Sequence, residues 1–110
     1  MTDFMKISAM TWRAPEGEPH ATLVSRIADY ARRIEAAGFA GIWVGDSLGR
    51  TLDPLIELAA LAAVTERVEL GVGVLQVPLR QPVELAHRVQ SVQALSGGRL
   101  RFGGWQRRDA

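Results

Sequence analysis

Residues 67–102 constrain the fold more than any other part of the chain. They read RVELGVGVLQVPLRQPVELAHRVQSVQALSGGRLRF, in which a strand pattern, a loop, an amphipathic helix pattern and a second strand pattern follow one another directly. This order is typical of a βαβ unit, in which the two strands are parallel and the crossover is right-handed. Two earlier segments of the chain repeat the pattern, so we predict a parallel α/β structure.

Periodicity predicts four strands and three helices along the sequence. The strands are expected at 5–11, 41–46, 68–74 and 99–103, and the helices at 21–37, at 54–65 and from residue 82 to the glycine pair 97–98. Asp53 is expected to cap the second helix ahead of Pro54, and Gly38 to end the first helix in a left-handed conformation. The strand spacing fits a (β/α)₈ barrel of the TIM type, which needs roughly 250 residues. We therefore predict one incomplete (β/α) barrel domain over residues 1–110, with 105–110 as a frayed tail.

The third strand is predicted to have one bulky face and one bare face. Val68, Leu70 and Val72 alternate with Glu69, Gly71 and Gly73. In a barrel strand the bulky side chains meet the helices and the glycines point inward, where either tight packing or the approach of a ligand accounts for them. Glu69 shares the inward face, where a buried carboxylate needs a partner. Trp43 on the second strand is expected to belong to the core.

The composition excludes several classes of protein. The chain has no cysteine, which excludes disulfides, a thiolate nucleophile and cysteine-based metal sites, and its two histidines are too few to predict a metal centre. No apolar run reaches the roughly 18 residues of a membrane span, and the first residues lack a secretory signal. We therefore expect a cytoplasmic protein that does not bind membranes. The net charge of +1 hides five arginines against one aspartate from residue 86 onward, a basic stretch that could contact nucleic acid or phosphate. Because these arginines are predicted on an exposed helix face, on a strand and in a frayed terminus, we expect no nucleic-acid binding.

Two stretches of the sequence resemble the N-terminal half of the luciferase-like monooxygenases. They are AGFAGIWVGD and DPLIELAALAAVTERVELGVGVLQVPLRQPVELAHRVQSVQALSGGRLRFG, and the likeness extends over residues 5–105. Its most specific part is the combination of ERVELGVGV, PLRQPV and LSGGRL at fixed spacing. Members of this family are flavin- or deazaflavin-dependent oxidoreductases on a (β/α)₈ barrel.

The resemblance implies a cofactor, FMN or a deazaflavin coenzyme, held at the carboxyl ends of the strands. Asp46 matches the acidic position near the ring and substrate, which makes it the candidate catalytic residue, and Ser47 stands where many deazaflavin-using members have a histidine. Gly73 and Val74 match the place where many members have a non-prolyl cis peptide behind the ring. The implied cofactor-binding residues are thus Asp46, Ser47, Gly73 and Val74. Apart from the resemblance, the position of Asp46 at the carboxyl end of a predicted buried strand favours a site role, with a helix-proximal or loop-capping carboxylate as the alternative, and Ser47 is expected to be a hydrogen-bonding loop residue.

Two functions remain open from the sequence. The first is an oxidoreductase or monooxygenase that passes a hydride to a small-molecule substrate or activates oxygen, although the strands that hold the phosphate end of the cofactor in this family lie beyond these residues. The alternative is a non-catalytic remnant or interaction module that self-associates through its helices and open sheet edges. A parallel sheet covered on one face, together with a second helix that is apolar on nearly all sides, predicts a homo-oligomer or a complementing C-terminal half.

Overall fold

The computed structural model describes residues 8–11, 20–48, 51–73 and 75–102. In chain order the elements are β1 Ser8–Thr11, α1 His20–Ala36, β2 Gly41–Val44, α2 Pro54–Val64, β3 Glu69–Val72, a 3-10 turn at Val77–Leu79, α3 Pro82–Leu95 and β4 Leu100–Phe102. The four strands form one parallel sheet in the order β1-β2-β3-β4. The predicted architecture, an arc of parallel (β/α) units, is therefore confirmed. The predicted tail at 105–110 lies outside the described residues.

The second strand is shorter than its sequence pattern predicts. It ends at Val44, which pairs with Val72 of β3, and one further backbone bond runs from the Gly73 N–H to the Val44 carbonyl at 2.9 Å. Beyond that bond the chain leaves the sheet, because the carboxylate of Asp46 is bonded to the loop that follows β3. The expected strand residues 45 and 46 thus belong to a loop.

The helix ends follow the local signals in the sequence. Gly38 has a φ of 88°, and the N–H of Phe39 donates to the Ile34 carbonyl at 3.3 Å, as expected for a Schellman motif. At the start of α2, one oxygen of Asp53 accepts from the Leu55 N–H at 3.0 Å and from the following amide at 3.2 Å. Both predicted caps are confirmed. They fix the end of α1 ahead of β2 and the start of α2 after β2.

The core lies between the sheet and one layer of three helices. The buried apolar side chains are Ala31, Ile42, Val44, Leu55, Leu58, Leu61, Ala62, Val68, Leu70, Val72, Val92 and Leu100. The bulky face of β3 meets the helices as predicted, because Val68, Leu70 and Val72 are fully buried. Helix α2 contacts both α1 and α3, which accounts for much of its apolar surface. Its exposed positions Ile56, Ala60 and Ala63 follow helical spacing and form one outward stripe.

The opposite face of the sheet carries Trp43, which the sequence wrongly placed in the core. Ile42 and Val44 occupy the helix side of β2, so alternation turns Trp43 to the other side, where it is half-buried. Its ring covers Gly71 on the neighbouring strand: a Cβ on Gly71 would lie 2.3 Å from Trp43 Cζ3. The absence of a side chain at Gly71 is therefore explained by close packing of this ring.

Glu69 shares this face and is paired, although it is not the buried carboxylate that the sequence predicts. Arg101 of β4 places its Nε 3.3 Å from the Glu69 carboxylate, and both side chains remain substantially exposed. An ion pair in so much solvent contributes little to stability. Within the ranges that the structure describes, no helix combines the length and apolar character needed to cross a membrane.

The amino edge of the sheet is closed by two charged side chains. The Arg99 guanidinium donates to the carbonyls of Ser96, Val68, Ala62 and Thr65 and to the Thr65 hydroxyl. This places a cation at the carboxyl end of α2, where the helix dipole favours it. Arg99 thereby joins α2 to the turns that precede β3 and β4.

The second of these side chains is Glu35, near the end of α1. Its carboxylate accepts from the backbone N–H groups of Glu66, Arg67 and Val68. Burial acts to raise the pKa of Glu35, but these three amides and the charge of Arg67 outweigh burial and hold the pKa below its ordinary value. The carboxylate therefore fixes the turn that leads into β3.

Candidate functional site at the carboxyl edge of the sheet

The carboxyl ends of the parallel strands lie at one edge of the sheet, and four polar residues meet there. Asp46 follows β2, Gln76 and Arg80 follow β3, and Asp53 begins α2. In (β/α) barrels this is the edge at which ligands bind and reactions occur. The geometry of these four residues therefore decides what the edge can do.

Asp46 is fixed by the loop that follows β3. Its side chain is only 8% exposed, and its Oδ2 accepts from the Gln76 backbone N–H at 2.8 Å and from Arg80 Nη2 at 2.9 Å. The Gln76 side-chain amide donates in turn to the Asp46 carbonyl at 2.8 Å. Because both carboxylate bonds use Oδ2, no described residue donates to Oδ1. The carboxylate is thus oriented through one oxygen while the other stays available.

Arg80 connects Asp46 to the start of the neighbouring helix. Its side chain is 16% exposed, and Nη1 lies 3.4 Å from Asp53 Oδ2. Burial acts to lower the pKa of Arg80, but hydrogen bonds to Asp46 and Asp53 and their charges outweigh it, so the pKa is raised. The guanidinium is therefore a permanent cation between two carboxylates. Its Nε is buried and has no hydrogen-bond partner within the described part of the chain.

Asp53 has two roles, one for each oxygen. Oδ1 caps α2 by accepting from the first free amides of the helix, while Oδ2 faces Arg80. A carboxylate at a helix N-terminus is favoured by the helix dipole. The cap and the cation are consequently linked, and the position of α2 is coupled to that of the β3–α3 loop.

The structure shows different things for the other predicted site residues, Ser47, Gly73 and Val74. Ser47 uses its backbone to close a turn: its N–H donates to Thr51 Oγ1 at 3.1 Å and its carbonyl accepts from the Thr51 N–H at 3.0 Å. Gly73 is half-buried directly after β3, where its N–H donates to the Val44 carbonyl at 2.9 Å. Val74 and the peptide bond that joins it to Gly73 lie outside the described residues, so the cis peptide stays a prediction.

The sequence reasoning missed Gln76 and Arg80 as site residues. A signal for Arg80 was present, since it is the one charged residue of PLRQPV, between an apolar turn and the first proline of α3. A charge in such a segment needs a partner, and Asp46 after the preceding strand was a candidate. Gln76 had no comparable signal, because its main contribution is a backbone amide that any residue except proline could supply.

Comparison with known proteins relates the chain to one family. The sequence model described as Luciferase-like monooxygenase matches residues 5–103, which is nearly the whole chain. A 4-hydroxyprotoasukamycin monooxygenase from Streptomyces nodosus subsp. asukaensis is 30% identical over 93 residues, which make up 81% of this chain and 25% of that protein. The chain therefore spans about a quarter of the length of this relative.

Two solved structures share the fold. The coenzyme F420-dependent tetrahydromethanopterin reductase of Methanopyrus kandleri superposes with a TM-score of 0.75 at 21% identity, covering 90% of this chain and 26% of that one. The oxygenating constituent of the 3,6-diketocamphane monooxygenase of Pseudomonas putida, solved with FMN, superposes with a TM-score of 0.77 at 16% identity, covering 92% and 29%. At these identities the superpositions establish the architecture alone.

Proposed function

The chain belongs to the luciferase-like monooxygenase family, and from this membership we propose that its carboxyl edge forms part of the cofactor and substrate site of a flavin- or deazaflavin-dependent oxidoreductase. Both kinds of cofactor occur among the proteins it resembles, since one solved structure contains FMN and another is named for coenzyme F420, a deazaflavin. The activity and the small-molecule substrate of a whole enzyme are part of the proposal, because the chain spans 25–29% of the proteins compared above.

The orientation of Asp46 is the observation that carries this proposal. A carboxylate with one oxygen fixed by two donors and the other unengaged by described residues is prepared to accept a hydrogen bond from a ligand. In the proposal Asp46 is the catalytic residue, and its Oδ1 contacts the ring or the substrate. Ser47, Gly73 and Val74 line the ring beside it.

The described residues fit a flat polar ring better than a phosphate group. Gly73 presents bare, half-buried backbone to which a ring can come close, and Asp46 offers a hydrogen-bond acceptor. The fork of Arg80, by contrast, is engaged by two carboxylates and so is not free to bind phosphate. We therefore assign the ring to this edge and no phosphate contact to these residues.

When bound, the reduced ring supplies the hydride or, for a flavin, the chemistry that activates oxygen. The chain's own residues bind and orient it. In this proposal Asp46 accepts a hydrogen bond, and the 3-10 turn between Gln76 and Arg80 adds two exposed apolar side chains, Val77 and Leu79.

A second candidate function is supported by the apolar surfaces that the fold leaves uncovered. Among the described residues, the three helices cover one face of the sheet, β1 and β4 are its outer strands, and the stripe of Ile56, Ala60 and Ala63 on α2 faces outward. Parallel sheets are found almost only with both faces covered. In this candidate the chain is a non-catalytic module that self-associates or pairs with a complementing C-terminal half.

Cofactor titration separates the two candidates. The full chain is titrated with FMN and with the deazaflavin coenzyme, oxidised and reduced, and binding is followed by absorbance and fluorescence. We expect saturable binding that Asp46→Ala weakens about tenfold or more, the scale of a lost hydrogen bond to a charged group. Asp29→Asn is the matched control, because Asp29 is an exposed carboxylate on α1 whose ion pair in the described part of the chain is with Arg33 of the same helix.

The outcomes are distinct for each candidate. Equal affinities for Asp46→Ala and Asp29→Asn would contradict the assigned role of Asp46. Absence of binding by any form, combined with a stable oligomer in light scattering, would favour the interaction module. A well-folded monomer in the same measurement would contradict self-association.

A further inference from the structure

We infer that Arg80 is the positioning residue of the carboxyl edge: it aims Asp46 by joining the end of β2, the start of α2 and the β3–α3 loop. What the aimed carboxylate binds rests on the proposed function, whereas the joining itself does not. Three segments that are far apart in sequence converge on this one guanidinium, since Asp46 and Asp53 precede it by 34 and 27 residues.

Two donors share a single carboxylate oxygen of Asp46. Asp46 Oδ2 accepts from both the Gln76 N–H and Arg80 Nη2, so the carboxyl plane is held by two donors that arrive from the same loop. With only the Gln76 amide left, the carboxylate could rotate about its terminal torsion, which is broad for aspartate. Arg80 therefore determines which way Oδ1 points.

Joining Asp46 to Asp53 requires a side chain with two separate donor groups. Nη1 and Nη2 of Arg80 reach different carboxylates, at 3.4 Å from Asp53 and 2.9 Å from Asp46. A guanidinium presents these donors in a rigid plane, whereas a lysine ammonium is a single flexible point charge. Lysine at this position would keep the charge but would not hold both carboxylates in one geometry.

The contacts of Arg80 are better explained by positioning of Asp46 than by general stabilisation of the fold. Arg80 donates both of its charged hydrogen bonds to side chains at the carboxyl edge of the sheet. Its buried Nε has no hydrogen-bond partner among the described residues. A buried donor without a partner is unfavourable, so this arrangement is not the best one for stability alone. The placement is accounted for by the orientation it gives to Asp46.

The test measures local order and ligand binding separately. In native-state hydrogen exchange, Arg80→Met is expected to raise the exchange rate of the Gln76 amide about tenfold, because its acceptor becomes mobile. Arg80→Lys is expected to restore part of the protection and serves as the second variant if Arg80→Met fails to fold. Arg88→Met is the matched control, since Arg88 forms an exposed ion pair with Glu84 on α3.

A purely structural role predicts a different pattern. In that case all protected amides of Arg80→Met would exchange faster by the same factor, and Gln76 would not stand out; this result would overturn the inference. The ligand arm compares FMN or deazaflavin binding by Arg80→Met, Asp46→Ala and the double variant. We expect the two losses not to add, because Arg80 acts through Asp46. If the wild type binds neither cofactor, the proposed function fails for this chain, while the exchange of Gln76 still decides the role of Arg80.

Discussion

Each edge of the sheet has one arginine that joins neighbouring segments, and the two side chains contact different kinds of partner. At the amino edge, Arg99 donates to main-chain carbonyls of four residues and to one hydroxyl. At the carboxyl edge, Arg80 donates to two carboxylates and leaves a buried Nε without a described partner. The first network is closed on the backbone, while the second is built from side-chain charges.

This difference agrees with the proposed role of the carboxyl edge as the ligand-binding one. All the carbonyls that Arg99 contacts belong to the end of α2 or to the turns before β3 and β4, so its contacts join these segments. Arg80 instead contacts side chains, and its bond to Oδ2 orients the carboxylate of Asp46. The same division is general for (β/α) barrels, in which the carboxyl edge carries function and the amino edge carries stability.

The comparison predicts its largest effect at Arg99. Arg99→Met should lower the free energy of unfolding by about 3 kcal/mol, because several buried carbonyls lose a charged donor at once. Urea unfolding followed by circular dichroism measures the change. Cofactor affinity of the molecules that remain folded should be unaltered.

Arg101→Met is the control for that measurement. Arg101 lies on β4, two residues from Arg99, and its ion pair with Glu69 is exposed, so its removal should change stability by less than about 0.5 kcal/mol. Equal effects of the two substitutions on stability would show that the Arg99 network stabilises the fold no more than an exposed ion pair does.

Glu35 provides the next largest effect, with a dependence on pH. Glu35→Gln should destabilise the protein by about 1–2 kcal/mol at neutral pH, since the three amides of the turn lose a charged acceptor. The pKa of Glu35 is lowered in the folded state. Its contribution is therefore fully present above the pKa of the unfolded chain, about 4.3, and is lost as the pH falls through the lower folded-state pKa.

The difference in unfolding free energy between wild type and Glu35→Gln should therefore depend on pH. Unfolding free energies of wild type and Glu35→Gln should differ most near pH 7 and begin to converge as the pH falls below the unfolded-chain pKa of about 4.3. Glu84→Gln serves as the reference, because Glu84 is exposed on the first turn of α3. A difference that stays constant down to pH 3 would show that the charge of Glu35 is not what the amides recognise.

The elements of the fold could be predicted because their signals are local. Asp53 followed by Pro54 marked the start of α2, and Gly38 marked the end of α1. Alternation on β3 correctly divided its residues between the helix side and the open side. Asp46 was found as a site candidate because parallel strands bring their carboxyl ends to one edge, and a charged residue directly after a buried strand stands out there.

The errors concern contacts between segments that are distant in sequence. Trp43 was assigned to the core on its apolar character, but the face it occupies depends on register, and Gly71 on the next strand makes room for it. The strand was predicted to continue through Asp46 because nothing nearby shows that Gln76 and Arg80 bind its carboxylate 30 and 34 residues later. Such pairings are set by tertiary structure, which periodicity does not report.

The smallest predicted effect separates the two roles of Asp53 and thereby tests how the carboxyl edge is joined. Asp53→Asn retains a good capping residue for α2, so only the attraction to Arg80 is lost, and we expect a destabilisation of about 0.5 kcal/mol. Asp53→Ala removes the cap as well and should cost about 1 kcal/mol more. If Arg80 depends on Asp53 for its position, Asp53→Asn should also speed the exchange of the Gln76 amide, although by less than Arg80→Met. Unchanged exchange in Asp53→Asn, with the loss in Asp53→Ala intact, would mean that Arg80 is held by Asp46 alone and that the helix cap is independent of the site.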